Sequence, residues 1–163
     1  MSSEKRKIAY IDGKPYEIGA NHTSILKFVK SYVGEKKVPT LCDDPNLAPY
    51  GACRVCSVEV ALEKDGPTRM VASCHTPVAE NQHIFTSNEA ITSLRKNIVE
   101  LVLTDHPMEC DSCEVNNNCE LQTVANDLGI SDHRYNSPKQ HKGIPRDTSH
   151  DYMRMNLDNC INC

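Results

Sequence analysis

Hydrophobic and polar positions alternate near the start of the chain and then change period. Ile8 and Tyr10 on one side of Asp12-Gly13, and Tyr16 and Ile18 on the other, predict two short strands joined by a tight turn. After Thr23 the period lengthens. Thr23 or Ser24 is placed to cap SILKFVKSYV, where Ile25, Phe28, Val29 and Tyr32 mark one helical face ending at Gly34. Alternation returns at Val58 and Val60, KDGP predicts a turn, and MVASC predicts a returning strand. In TSNE, Thr86 and Glu89 have the spacing of a capping box, and Ile91, Leu94, Ile98 and Leu101 or Val102 give an apolar stripe over roughly four turns. Leu121, Val124, Ala125 and Leu128 predict a short helix stopped at Gly129. Sheet, helix and loop in this order predict an α+β chain whose first part is a β-grasp. Residues 131–159 lack apolar periodicity and are expected to be an extended linker.

Cysteine placement adds chemistry to this outline. All nine cysteines and one histidine fall into three groups: Cys42, Cys53, Cys56 and Cys74; His106, Cys110, Cys113 and Cys119; and Cys160 with Cys163. The first group reads C-x10-C-x2-C-x17-C, the layout of a four-thiolate [2Fe-2S] site in a loop-and-strand domain. Gly51 and Ala52 keep bulk away from backbone that must wrap an inorganic core and aim its N–H groups at sulfur. A disulfide framework fits poorly, because the cysteine count is odd and the N-terminus has no apolar stretch of a secretory signal. A thioredoxin-like use of CRVC is disfavoured too, since the motif runs into the strand-like SVEVAL instead of opening a helix.

The second group reads H-x3-C-x2-C-x5-C, and Pro107 holds His106 in an extended turn. Three thiolates and an imidazole suit an iron-sulfur cluster or a structural zinc ion. A Rieske site is disfavoured because Cys74 and His75 are adjacent and no second C-x2-H follows. His22, His75, His83, His133, His141 and His150 lie in polar surroundings and are expected at the surface, with His75 a candidate hydrogen-bond donor to the first cluster.

Composition narrows the function classes. With two Phe and no Trp in 163 residues, aromatic mass for a large core is scarce, and metal clusters are expected to act as staples without which the chain folds poorly. The net charge of -4 offers no basic stripe for nucleic acid, and no apolar run is long enough to span a bilayer. No dinucleotide fingerprint or phosphate loop is present, so no catalytic residue is expected on this chain. A cytoplasmic location is expected.

The motifs PTLCDDP, GACRVCSVEV, VASCHTPV, TSNE, DHPMEC, DSC and NNNCELQ, in this order over about residues 7–130, resemble the N-terminal region of the large iron-sulfur subunit of NADH:quinone oxidoreductase. The same arrangement recurs in NAD-linked formate dehydrogenases and [FeFe]-hydrogenases, and CELQ followed by VANDLGI looks more like those branches. The resemblance implies one [2Fe-2S] cluster on Cys42, Cys53, Cys56 and Cys74 and one [4Fe-4S] cluster on His106, Cys110, Cys113 and Cys119. It also implies a [2Fe-2S] ferredoxin-like domain over residues 1–86, a small helical [4Fe-4S] domain with one histidine and three cysteine ligands over 87–130, and a linker with an incomplete cluster motif over 131–163. The implied function is one-electron relay. The implied partners are a flavin- and NAD-binding iron-sulfur subunit and a second catalytic unit, which would be a formate dehydrogenase, a hydrogenase or a quinone-reducing module.

Two departures stand out. The hairpin ALEKDGPTRM lengthens the last spacing of the first site and is expected to change a surface loop, not the ligation. MNLDNCINC opens like a further [4Fe-4S] motif but supplies only Cys160 and Cys163. Either the subunit continues, the favoured expectation, or another chain completes the site. Continuation would allow a molybdenum or [FeFe] centre further along, making this the electron inlet of a catalytic polypeptide. A zinc-stapled interaction module without redox activity is the competing reading.

Overall fold

The computed structural model describes residues 6–132, 134–135 and 143–161. His133, His141 and Cys163 lie outside the described residues, as does part of the expected linker. The chain divides into two compact units, residues 1–95 and 96–163, and the division falls within one helix.

The first unit is a five-stranded mixed sheet with a helix against it. Strands β1 (Ile8–Ile11) and β2 (Lys14–Glu17) pair antiparallel, with Ile11 opposite Lys14. The two-residue turn between them needs positive φ at both positions, and Asp12 at 47° and Gly13 at 82° supply it. Strands β3 (Ser57–Ala61), β4 (Arg69–Ala72) and β5 (His83–Phe85) complete the order β2-β1-β5-β3-β4, in which β1 and β5 run parallel. The alternation in β1 is one residue out of phase with the expectation. Ala9 and Ile11 face the core, while Ile8 is exposed and Tyr10 stacks on His83. Parallel pairing with β5 decides this, because Ile84 must share the core face with Ile11.

Helix α1 (Ile25–Val33) covers the sheet. Ser24 caps it by accepting from the Lys27 N–H at 3.3 Å, and Gly34 ends it at φ 96° with its N–H on the Lys30 carbonyl. Ile25, Leu26, Phe28 and Val29 are buried in the core, each contributing roughly 1.5–3 kcal/mol by leaving water. Tyr32, expected on that face, is 41% exposed and donates from its hydroxyl to the Glu17 carbonyl.

Helix α2 (Glu89–Thr104) departs from two expectations. Its cap is Asn88, whose Oδ1 accepts from the Ile91 N–H at 2.8 Å. Thr86 is wholly buried instead, and its N–H and Oγ1 both donate to the Asp12 carboxylate, at 2.8 and 2.6 Å. The buried face is also rotated. Ile91, Arg95, Val99 and Leu103 form it, whereas Leu101 is 54% exposed.

The second unit continues with a 3₁₀ turn at Cys110–Ser112 and helix α3 (Glu120–Asp127), whose Leu121, Val124 and Ala125 are buried as expected. Gly129 at φ 67° closes α3, and the Ile130 N–H reaches back to the Ala125 carbonyl at 2.9 Å. The described part of the expected linker is not simply extended. Asp147 and Met155 pair as an isolated antiparallel bridge, and Leu157–Asn159 form a 3₁₀ turn.

Candidate metal centres

In the first unit the four cysteines come from two loops held by backbone geometry. Cys42, Cys53 and Cys56 lie between α1 and β3, and Cys74 follows β4. Antiparallel pairing of Ser57 with Ala72 puts the end of β4 beside the start of β3 and so brings Cys74 to Cys56. The Ser73 Oγ donates to the Cys56 carbonyl at 2.7 Å. From the other side, the free N–H groups at the start of α1 donate to this loop, Ile25 to the Thr76 carbonyl and Leu26 to the Ser73 carbonyl, both at 2.9 Å. The other loop turns through two left-handed residues, Gly51 at φ 72° and Arg54 at φ 63°. A Cβ at Gly51 would lie 3.3 Å from the His75 Cβ, so the glycine meets both a conformational and a steric demand.

The thiols pair off. The Cys53 thiol is in hydrogen-bond contact with Cys42, and the Cys74 thiol with Cys56. The Cys74 hydrogen bond lowers the Cys56 thiol to about 6 against the opposing effect of burial. Cys74 moves up, first because it gives its hydrogen to Cys56, then through burial and the nearby charges of Cys56, Cys42 and Asp43. Burial also raises Cys53, partly offset by the N–H groups of Val55, Cys42 and Leu41. Four thiols brought together with backbone N–H donors nearby fit a group that takes sulfur ligands as anions.

In the second unit His106, Cys110, Cys113 and Cys119 line one cavity, with Pro107, Val115, Asn116, Gln122 and Asn159. Each donor is set by a local break in the helices. His106 follows the end of α2, Cys110 opens the 3₁₀ turn, Cys113 closes it, and Cys119 is the N-cap position of α3. Asn117 at φ 62° turns the chain between Cys113 and Cys119, and Gln122 holds that turn by accepting from the Asn117 N–H at 2.7 Å. All four donors are partly exposed, as a cavity open at one side requires.

Cys160 is exposed, and the preceding Asn159 directs its Nδ2 at the Cys113 sulfur, 3.9 Å away. That hydrogen bond ties the C-terminal segment to the second cavity, a link with no signal in the motif spacing.

Among the histidines outside the sites, His75 and His150 are exposed as expected. His22 and His83 are half-buried. His22 accepts from the Gly19 N–H at 2.9 Å and packs edge-on against Phe28, and His83 stacks on Tyr10.

Comparison with known proteins places these sites in context. Residues 8–89 match the 2Fe-2S iron-sulfur cluster binding domain, and residues 95–134 match the NADH-ubiquinone oxidoreductase-G iron-sulfur binding region. The chain is 34% identical over 137 residues to the NADPH-Fe(3+) oxidoreductase subunit alpha of Geobacter sulfurreducens, covering 84% of this chain and 15% of that protein. It is 34% identical over 159 residues to the NADP-reducing hydrogenase subunit HndD of Solidesulfovibrio fructosivorans, covering 94% of this chain and 26% of that protein. With the NADH-quinone oxidoreductase-G protein of Escherichia coli it shares 35% identity over 133 residues, 80% of this chain and 14% of that protein. The chain thus spans a small part of the length of the curated relatives it matches. Among solved structures, a chain of an NAD+-reducing [NiFe]-hydrogenase in the H2-reduced state superposes with a TM-score of 0.80 at 23% identity, covering 95% of this chain and 62% of that one, a likeness of fold.

Proposed function

The chain belongs to the iron-sulfur family that includes the NADH-quinone oxidoreductase-G proteins, and from that premise we propose that it relays single electrons within a larger NAD-linked oxidoreductase. The observation that carries this reading is the sorting of eight donors into two sets, one in each compact unit. We read the first unit as a β-grasp holding a [2Fe-2S] cluster, in which Cys42 and Cys53 take one iron and Cys56 and Cys74 the other, as the thiol pairs suggest. We read the second as holding a [4Fe-4S] cluster on His106, Cys110, Cys113 and Cys119. In domain terms these are the proposed residues 1–86 and 87–130, followed by 131–163.

Such clusters supply one-electron redox chemistry with no group transfer. The chain's own residues do the rest. They present thiolates, aim N–H donors at sulfur, and keep bulk out of the binding loop. His106 is neutral where its three companions are anionic, so the second site carries less negative charge than an all-thiolate site and should sit at higher potential than that site would. Hydride chemistry and the terminal reaction belong to partners, of which a flavin- and NAD-binding subunit and a hydrogenase, formate dehydrogenase or quinone-reducing module are proposed. No helix among the described residues is long and apolar enough to cross a membrane, and a cytoplasmic location is proposed with it.

Selective ligand loss tests the reading. Cys53→Ser should remove the [2Fe-2S] signal of the reduced protein and spare the other cluster, and His106→Ala should do the reverse, both followed by electron paramagnetic resonance after anaerobic reduction. A variant that loses both signals together, or neither, would sink the assignment, and a colourless wild-type protein containing stoichiometric zinc would favour the interaction module.

A further inference from the structure

The apolar stripe of α2 is interrupted by a charge. Arg95 takes the position one turn after Ile91, is only 5% exposed, and lies on the buried face with Val99 and Leu103. Its Nη2 donates to the Ser57 carbonyl at 2.7 Å, one residue beyond Cys56, and its Nε is buried with no hydrogen-bond partner. No ion pair to Arg95 occurs among the described residues. Lysines near the first site are placed differently. Lys30 is shared between Glu35 and Asp43, and Lys37 faces Asp12, all at the surface or half-buried.

A buried guanidinium without a carboxylate is costly, and folds retain such a charge only where an anion compensates it. The compensating anion must lie on the side to which Ser57 ties the guanidinium, next to Cys56, and burial lowers the Arg95 pKa only to about 10. At neutral pH it therefore stays charged. Resting on the [2Fe-2S] reading of Cys42, Cys53, Cys56 and Cys74, we infer that Arg95 is a buried counter-charge to that cluster, a positioning residue that raises its reduction potential. Reduction adds one negative charge to the cluster, so a fixed cation in a low-dielectric setting stabilises the reduced state more than the oxidised one. The Ser57 hydrogen bond fixes where the cation sits.

Three substitutions in the full chain separate charge from packing: Arg95→Lys keeps the charge, Arg95→Met keeps the length without it, and Arg95→Gln keeps an amide donor without it. The midpoint potential of each cluster is read by a redox titration followed by electron paramagnetic resonance. The expected result is a lower [2Fe-2S] midpoint in the Met and Gln variants, a midpoint nearer wild type in Lys, and an unmoved second cluster. Failure of the neutral variants to load iron while the Lys variant loads would equally support a required cation. Neutral variants that load at the wild-type midpoint, or a Lys variant that fails along with them, would overturn the inference. A wild-type protein with no [2Fe-2S] signal would instead defeat the ligand assignment on which it rests.

Discussion

Gly51 is the residue at which backbone freedom and local crowding meet. At φ 72° an L side chain is strained by about 1–2 kcal/mol, and an added Cβ would press to 3.3 Å from His75. Gly51→Ala should therefore lower the thermal midpoint of the loaded protein and speed loss of the [2Fe-2S] absorbance, with the second cluster's absorbance unaffected. An unchanged melting curve would show that the loop relaxes around the methyl group. The Cys56 and Cys74 thiols illustrate the same coupling of geometry and chemistry, since their mutual hydrogen bond lowers the pKa of one and raises that of the other.

At the scale of elements, helix ends do most of the positioning. The start of α1 grips the Cys74 loop through Thr76 and Ser73, the end of α2 leads to His106, and the start of α3 carries Cys119. The cap of α2 offers a clean test of which residue starts it. Asn88 accepts from the Ile91 N–H, while Thr86 bonds to Asp12 in the sheet region. Asn88→Ala should cost about 1 kcal/mol, as loss of an N-cap does, measured by denaturant unfolding of the loaded protein. Thr86→Val should cost more, because it removes the charge-assisted hydrogen bond of a wholly buried hydroxyl to the Asp12 carboxylate. An Asn88→Ala variant as stable as the wild type would show that Asn88 does not cap the helix.

For the whole molecule, the two proposed donor sets predict a stoichiometry. Two clusters require about six iron and about six sulfide per chain, two of each in the first and four in the second. Cys160 is exposed and should label rapidly with an alkylating agent in the anaerobic folded protein, while the eight proposed ligands stay protected. About ten iron per chain, with Cys160 protected, would mean that a further cluster is completed at the third motif by other residues or another chain.

The iron-sulfur family was readable from the chain itself, because C-x2-C pairs, H-x3-C spacing and Gly51 are local constraints that such chemistry imposes on nearby residues. So were the β1–β2 turn, the cap and stop of α1, and the burial of α3, each governed by neighbours a few residues apart. The tertiary structure alone decided the facing of β1, the rotation of α2, the role of Thr86 and the link from Asn159 to Cys113. Each depends on partners far apart in sequence. An alternating strand has two possible faces until a neighbour such as Ile84 selects one, and an arginine at position 95 reads as solvated until the fold places it beside Ser57.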